Sequence, residues 1–186
     1  MESEITLPES EFFAENTKIT IIPNFRHPGF NILSGTYGPI KPASALEVPL
    51  WLGIFLKRQQ KCKIIPPAWM DLQVLKDKFE EERKEEGFAE LDFYYMEISS
   101  LLLTHAKDDI ASHVLVCRLI EDLHNLRSAK VRNKLQDLSH GSLYNKLTNL
   151  ASIELQSIRR ILPATYDSLY QINNPDVLLD QGKGVI

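Results

Sequence analysis

The chain has 186 residues, 44% hydrophobic and 25% charged, a composition that excludes a disordered protein and accommodates one ordinary domain or two small ones sharing an interface. A formal net charge of −4 excludes a protein whose whole surface coats nucleic acid, which needs a clear Lys/Arg excess, and leaves room only for a local basic patch. Two cysteines, Cys62 and Cys117, fall short of a disulfide scaffold and suit a reducing compartment, and no apolar run reaches the ~18–20 residues that a membrane span needs.

After an acidic start, Glu9 to Glu15 with Phe12 and Phe13 fits a short helical turn. The β-branched run Ile19 to Ile22, closed by Pro23-Asn24, predicts a strand, and Phe30, Ile32 and Leu33 before Ser34-Gly35 predict another. Pro39, Pro42 and Pro49 then prevent a long helix from starting before Leu50. Pro49 suits the first turn of a helix carrying Leu50, Trp51, Ile54 and Phe55 and ending on Lys57 and Arg58. Ile64 to Pro67 resets the chain as an extended stretch, and Asp71 is the expected N-cap of a helix with Leu72, Leu75 and Phe79 on one side. That helix runs into Glu80 to Glu86, where nearly every position is charged, and such a run reads as a solvated face stiffened by i,i+4 pairs.

Helical spacing continues through Tyr94, Ile98, Leu101, Leu102 and His105, and again through Leu115, Leu119, Leu123 and Leu126 beyond the Asp108-Asp109 break. Leu150, Ile153, Ile158, Ile161, Leu162, Tyr166 and Leu169 mark a last helical stretch, with Pro163 expected to bend it. The expected fold class is α+β, a mainly α-helical domain preceded by a small β-rich N-terminal domain. The expected boundaries are 1–48 for the β-rich domain, 49–172 for the helical domain and 173–186 for a flexible C-terminal tail.

No phosphate loop, nucleophile elbow or zinc-helix motif is present in the sequence, so neither catalytic residues nor a cofactor are expected. His113, Cys117 and His124 share one helix face, but Cys117 and His124 stand about 10 Å apart along the axis, too far to share a metal with bonds of about 2 Å. A half-buried face with small polar groups accounts for them. Ile120 and Val131 lie on that face, whereas Leu115, Leu119, Leu123 and Leu126 form a separate stripe, so the helix is apolar on two sides and one side needs further packing, from this chain or another. Basic residues cluster at Lys57, Arg58, Lys61 and Lys63, and at Arg127, Lys130, Arg132 and Lys134. Both clusters are explained by helix C-termini as well as by phosphate contact; the second is the possible DNA-proximal patch of an alternative reading, a DNA-binding helical protein.

Three strings go further: TIIPNF at Thr20 to Phe25, EVPLWL at Glu47 to Leu52 and LKRQQKCKIIPPAWM at Leu56 to Met70. YYMEI at Tyr94 to Ile98, Asp108-Asp109-Ile110 and the segment Arg127 to Arg132 follow in order. Together they resemble the second-subunit family of the eukaryotic GINS complex, closely from Phe12 to Arg132 and in pattern beyond. The resemblance implies a small β-rich domain ahead of a helical one, an order permuted in two of the sister subunits. It also implies a heterotetramer of four GINS subunits that joins the MCM helicase ring and a Cdc-forty-five-type protein, in the nucleus, with ATP hydrolysis left to the ring. The expected role is a non-enzymatic scaffold that meets DNA at most indirectly and no membrane. Tyr94, Tyr95, Leu102, Ile120 and Val131 are the expected intersubunit or interdomain packing residues, with burial in the same chain an equal alternative. Trp51 and Trp69 are the expected anchors between the two domains.

Overall fold

In the computed structural model, which describes residues 7–32, 35–139 and 148–159, strand β1 (Lys18–Pro23) is the centre of a three-stranded sheet. Its alternation turns Ile19 and Ile21 inward, as the period-2 geometry of a strand requires. It pairs antiparallel with β4 (Leu46–Pro49) on one edge and with β5 (Cys62–Ile65) on the other, placing Thr20 opposite both Glu47 and Ile65. Between β1 and β4, β2 (Phe30–Ile32) and β3 (Gly35–Tyr37) form a separate hairpin.

Helix α2 (Leu50–Arg58) starts directly from β4 with Pro49 as its N-cap, one position before the first-turn site that the sequence suggests. It lies across the sheet so closely that a Cβ on Gly53 would stand 3.3 Å from Ile19 Cγ2 and 3.4 Å from Ile21 Cγ2. A side chain there would require the Ile19 and Ile21 methyls to give by a few tenths of an ångström. Because β5 follows α2 yet pairs with β1, the β-rich unit does not stop at residue 48; it takes in α2 and runs to Ile65. The expected boundary is corrected accordingly. A strand pairing across a helix is a non-local contact that local periodicity cannot reveal.

The helical part contains α3 (Leu72–Lys84), α4 (Tyr95–His105), the 27-residue α5 (His113–Ser139) and α6, described over residues 152–159. Asp71 caps α3 as expected, its Oδ1 accepting from the Gln73 amide at 2.9 Å. The first helix, α1 (Leu7–Ala14), also joins this part: Ser10 Oγ donates to Glu97 Oε1 on α4 at 2.5 Å and meets Ser152 Oγ on α6 at 2.5 Å. One continuous core runs from Ile19, Ile21 and Val48 of the sheet through Leu52 and Leu56 of α2 to Tyr95, Ile98, Leu102, Val116 and Ile120. A smaller cluster of Phe88, Val131 and Ile158 sits around the second half of α5. Ile161, Leu162, Pro163, Tyr166, Leu169 and the 173–186 tail lie outside the described residues.

Candidate subunit-interaction surface

The five side chains expected at intersubunit or interdomain contacts are mostly interior. Tyr95, Leu102, Ile120 and Val131 are buried in this chain and Tyr94 is half-buried. The intersubunit reading of the four buried residues is corrected. They lie on the helix faces that close this chain's own core: Leu102 and Tyr95 on α4, and Ile120 and Val131 on the α5 stripe Val116, Ile120, Leu123, Arg127, Val131. The remaining apolar side of α5 does face out, with Val114 and Leu115 exposed and Leu119 and Leu126 half-buried. Trp51 and Trp69 are both half-buried against the continuous core.

Arg127, in the expected basic patch, is also corrected, because it is fully buried and uses all five of its N–H groups inside the protein. Nε and Nη2 clasp Glu154 side-on at 2.5 and 2.8 Å, Nη1 reaches Glu82 Oε2 at 2.8 Å and the Ala89 carbonyl at 3.0 Å, and Nη2 also donates to the Asn149 carbonyl at 2.6 Å. Lys130 is half-buried and equally committed, to Glu82 Oε1 at 2.7 Å and to the carbonyls of Glu82, Glu85 and Gly87. The Phe88 ring lies beneath these cations, 5.1 Å from the Arg127 guanidinium carbon and 5.9 Å from Lys130 Nζ. Two cations face two carboxylates, so the centre is neutral as a whole. Burial opposes the Arg127 charge, but the hydrogen bonds and charge of Glu154, then the charge of Glu82, outweigh it and hold the guanidinium pKa above its ordinary value. Burial first, then the nearby Glu154 charge, pushes the Tyr95 phenol well above its usual range. Of the four basic residues, only exposed Arg132 and half-buried Lys134 keep any outward reach, and Lys134 leans on Phe88 at 5.7 Å.

The same centre overturns the reading of Glu80 to Glu86 as one solvated face. Glu82 is completely buried and accepts from the Ala89 amide as well as from both cations, whereas Lys84 and Glu80 make the expected exposed i,i+4 pair at 3.9 Å. On α5, His113 is exposed, Cys117 Sγ points to Glu121 Oε1 at 3.4 Å and His124 Nδ1 stands 3.5 Å from the Tyr95 hydroxyl. Burial and the bond to Glu121 raise the Cys117 thiol pKa.

The outward surface carries what sequence reasoning missed. Helix α1 is turned inside out: its buried positions are the small residues Ser10 and Ala14, one helical turn apart, while Phe12 is 64% and Phe13 49% exposed. The signal was legible, because two adjacent aromatics on a helix this short cannot both face the side occupied by Ser10 and Ala14. Phe13 borders a small hollow with Phe93, Tyr94 and Leu155, and Phe93 is itself exposed. A separate groove of about 450 Å3 opens between β2, α2 and α4, lined by Phe30, Ile32, Trp51, Phe55, Leu101 and His105. Phe55 projects from it, 54% exposed. A third hollow of about 390 Å3, walled by Pro66, Pro67, Leu72 and Ile110, lies at the sheet's exit and just before exposed Val114 and Leu115. Leu101 and Ile110 belong to the core and Trp51 and Leu72 pack against it, whereas Phe12, Phe13, Phe55, Phe93, Val114 and Leu115 are exposed.

The architecture is a small sheet lobe fused to a helical bundle, with several large apolar side chains turned outward. Residues 6–65 match the PSF2 N-terminal domain and residues 69–172 match the GINS complex protein helical bundle domain. The chain is 38% identical over 166 residues to the DNA replication complex GINS protein PSF2 of Xenopus laevis, covering 88% of this chain and 90% of that one. The Homo sapiens protein of the same name matches at 38% over the same shares, and the Schizosaccharomyces pombe psf2 protein at 33% over 92% of this chain and 93% of its own. The chain belongs to the PSF2 family of GINS DNA replication complex proteins. The family-model boundary at residue 65 coincides with the end of β5.

Proposed function

We propose that this chain is a non-catalytic scaffold subunit of a GINS heterotetramer, acting in the nucleus with an MCM helicase ring and a Cdc-forty-five-type protein in DNA replication. The observation that carries the reading is helix α1, which buries its small residues and presents Phe12 and Phe13 to the outside. Exposed aromatics of this size beside two further apolar hollows mark surfaces meant to be covered. Covering them contributes about 25 cal/mol per Å2 of apolar surface removed from water, a term that favours the assembled state. No helix among the described residues is long and apolar enough to cross a membrane.

The test is co-expression with the three sister subunits and measurement of native mass. The wild-type chain is expected in a particle of four chains, and the Phe12→Ser/Phe13→Ser variant, whose changes lie outside the core, is expected to be depleted from it. A monodisperse, sharply melting monomer that ignores its sister subunits would overturn the proposal.

A further inference from the structure

Charge is distributed unevenly along this acidic chain. From Ile22 to Lys63 there are six basic residues, Arg26, Lys41, Lys57, Arg58, Lys61 and Lys63, and one acidic residue, Glu47, a net of +5 within a chain of net −4. The fold removes two of the six from consideration: Lys57 is paired with Asp109 at 2.7 Å, and Arg58 lines the apolar groove beside Glu15. The other four are exposed and form no ion pair with any described carboxylate.

Backbone contacts gather those four at one end of the sheet. Ile22 near the end of β1 stands opposite Lys63, and beyond the two strands the backbone stays joined, with the Asn24 amide donating to the Lys61 carbonyl at 2.9 Å. Lys61 Nζ lies 5.7 Å from the centre of the Phe25 ring. His27 and Ile40 exchange backbone hydrogen bonds, and the Ala43 amide donates to the Pro23 carbonyl at 2.9 Å, so Arg26 and Lys41 flank the same end. Glu47 is on the far edge strand, opposite Thr20. Exposed Gln59 and Gln60 precede Lys61 with amide groups able to bond phosphate oxygens, and the Asn24 side-chain amide donates to the Gln60 carbonyl at 2.9 Å, holding that turn.

We propose that this end of the sheet, with Arg26, Lys41, Lys61 and Lys63, is a contact site for the phosphate backbone of nucleic acid, read without sequence preference. Nucleic acid is favoured over an acidic protein segment because the ring beside the cations, Phe25, is half-buried against the core and leaves little of the apolar anchor that a peptide interface needs, whereas separate hydrated cations suit a line of phosphates. The proposal replaces the expectation that DNA is met at most indirectly, and it does not depend on the assembly reading above.

It is tested by titrating fluorescent duplex and single-stranded DNA against the full chain, alone or with its sister subunits, from 50 to 200 mM salt. Four phosphate contacts predict about a hundredfold loss of duplex affinity across that range, at a slope of roughly −0.9 per contact. The Lys61→Gln/Lys63→Gln variant is expected to show a slope smaller by about 1.8 and roughly a tenfold loss, with unchanged melting because both side chains are exposed. Arg132→Gln on α5 is expected to leave the slope as it was. Equal slopes for wild type and the double variant would overturn the site. So would a polyglutamate that competes as well as DNA at matched charge, which would assign the patch to an acidic protein partner.

Discussion

Helix α5 passes through two regions held together by opposite means. Its first half sets Val116 and Ile120 into the continuous apolar core that joins sheet and helices, and its second half sets Arg127 and Lys130 into a buried ionic centre with Glu82 and Glu154. The apolar core is non-directional, so it tolerates exchange of one aliphatic shape for another of similar volume. The ionic centre is directional and saturated, so it tolerates almost nothing. It also fastens α3, the Phe88–Ala89 loop, α5 and the start of α6 at a single point, where a small cluster of three buried hydrophobics offers little area to do so.

The sharpest way to break that contrast is Arg127→Ala, which leaves two buried carboxylates without their common partner. A loss of about 3–5 kcal/mol is expected in chemical denaturation. Arg127→Lys is expected to lose more than half of this although it keeps the charge, since an ammonium has three donors for a site that uses five. Equal stability of Arg127→Lys and wild type would refute the claim that geometry rather than charge holds the centre.

Leu102→Ala probes the other region and is expected to cost about 2–5 kcal/mol through lost burial and a cavity, whereas Leu102→Met is expected to cost less than about 1.5 kcal/mol. A pH titration follows in size. Burial pushes the Cys62 thiol from 9.0 to about 11, with the Asp109 charge adding to the rise and Lys57 opposing it. Between those values the unfolded chain binds fewer protons than the folded one, so stability is fully present below pH 9 and declines as pH rises towards 11. The decline is expected to be smaller in Cys62→Ala, with melting followed at several pH values. The smallest effect belongs to Lys84→Ala, which removes only the exposed pair with Glu80 and is expected to change stability by less than about 0.5 kcal/mol. Lys84 and Glu82 are neighbours in one charged run, so the distance between their effects measures what burial does to a charge.

That run also shows how far the sequence could be read. The alternation of β1, the Asp71 cap and the proline-gated start of α2 depend on neighbours within a few residues, and all are visible in the chain itself. The burial of Glu82 depends on Arg127, 45 positions away, and on the turn at Ala89, so composition alone made it look solvated. The same non-locality hid the return of β5 to β1 and turned the expected patch at Arg127 and Lys130 into structural cement. The outward surface was partly legible: the resemblance placed the chain in the GINS family to which it belongs, but helical periodicity selects the residues that a chain buries in itself. Phe12 and Phe13 break that periodicity, and it is the break that points outward.

The register of the sheet has a further consequence. Thr20 near the start of β1 stands beside Ile65 at the end of β5, so the chain enters and leaves the sheet lobe at adjacent points about 5 Å apart. Everything between them, hairpin and α2 included, is a closed excursion from the helical body. A genetic rearrangement that carried residues 18–65 to the opposite terminus of the bundle would keep every pairing of the three-stranded sheet and would require one new tether to the lobe and one from α1 to the bundle, which makes the lobe a transferable cassette.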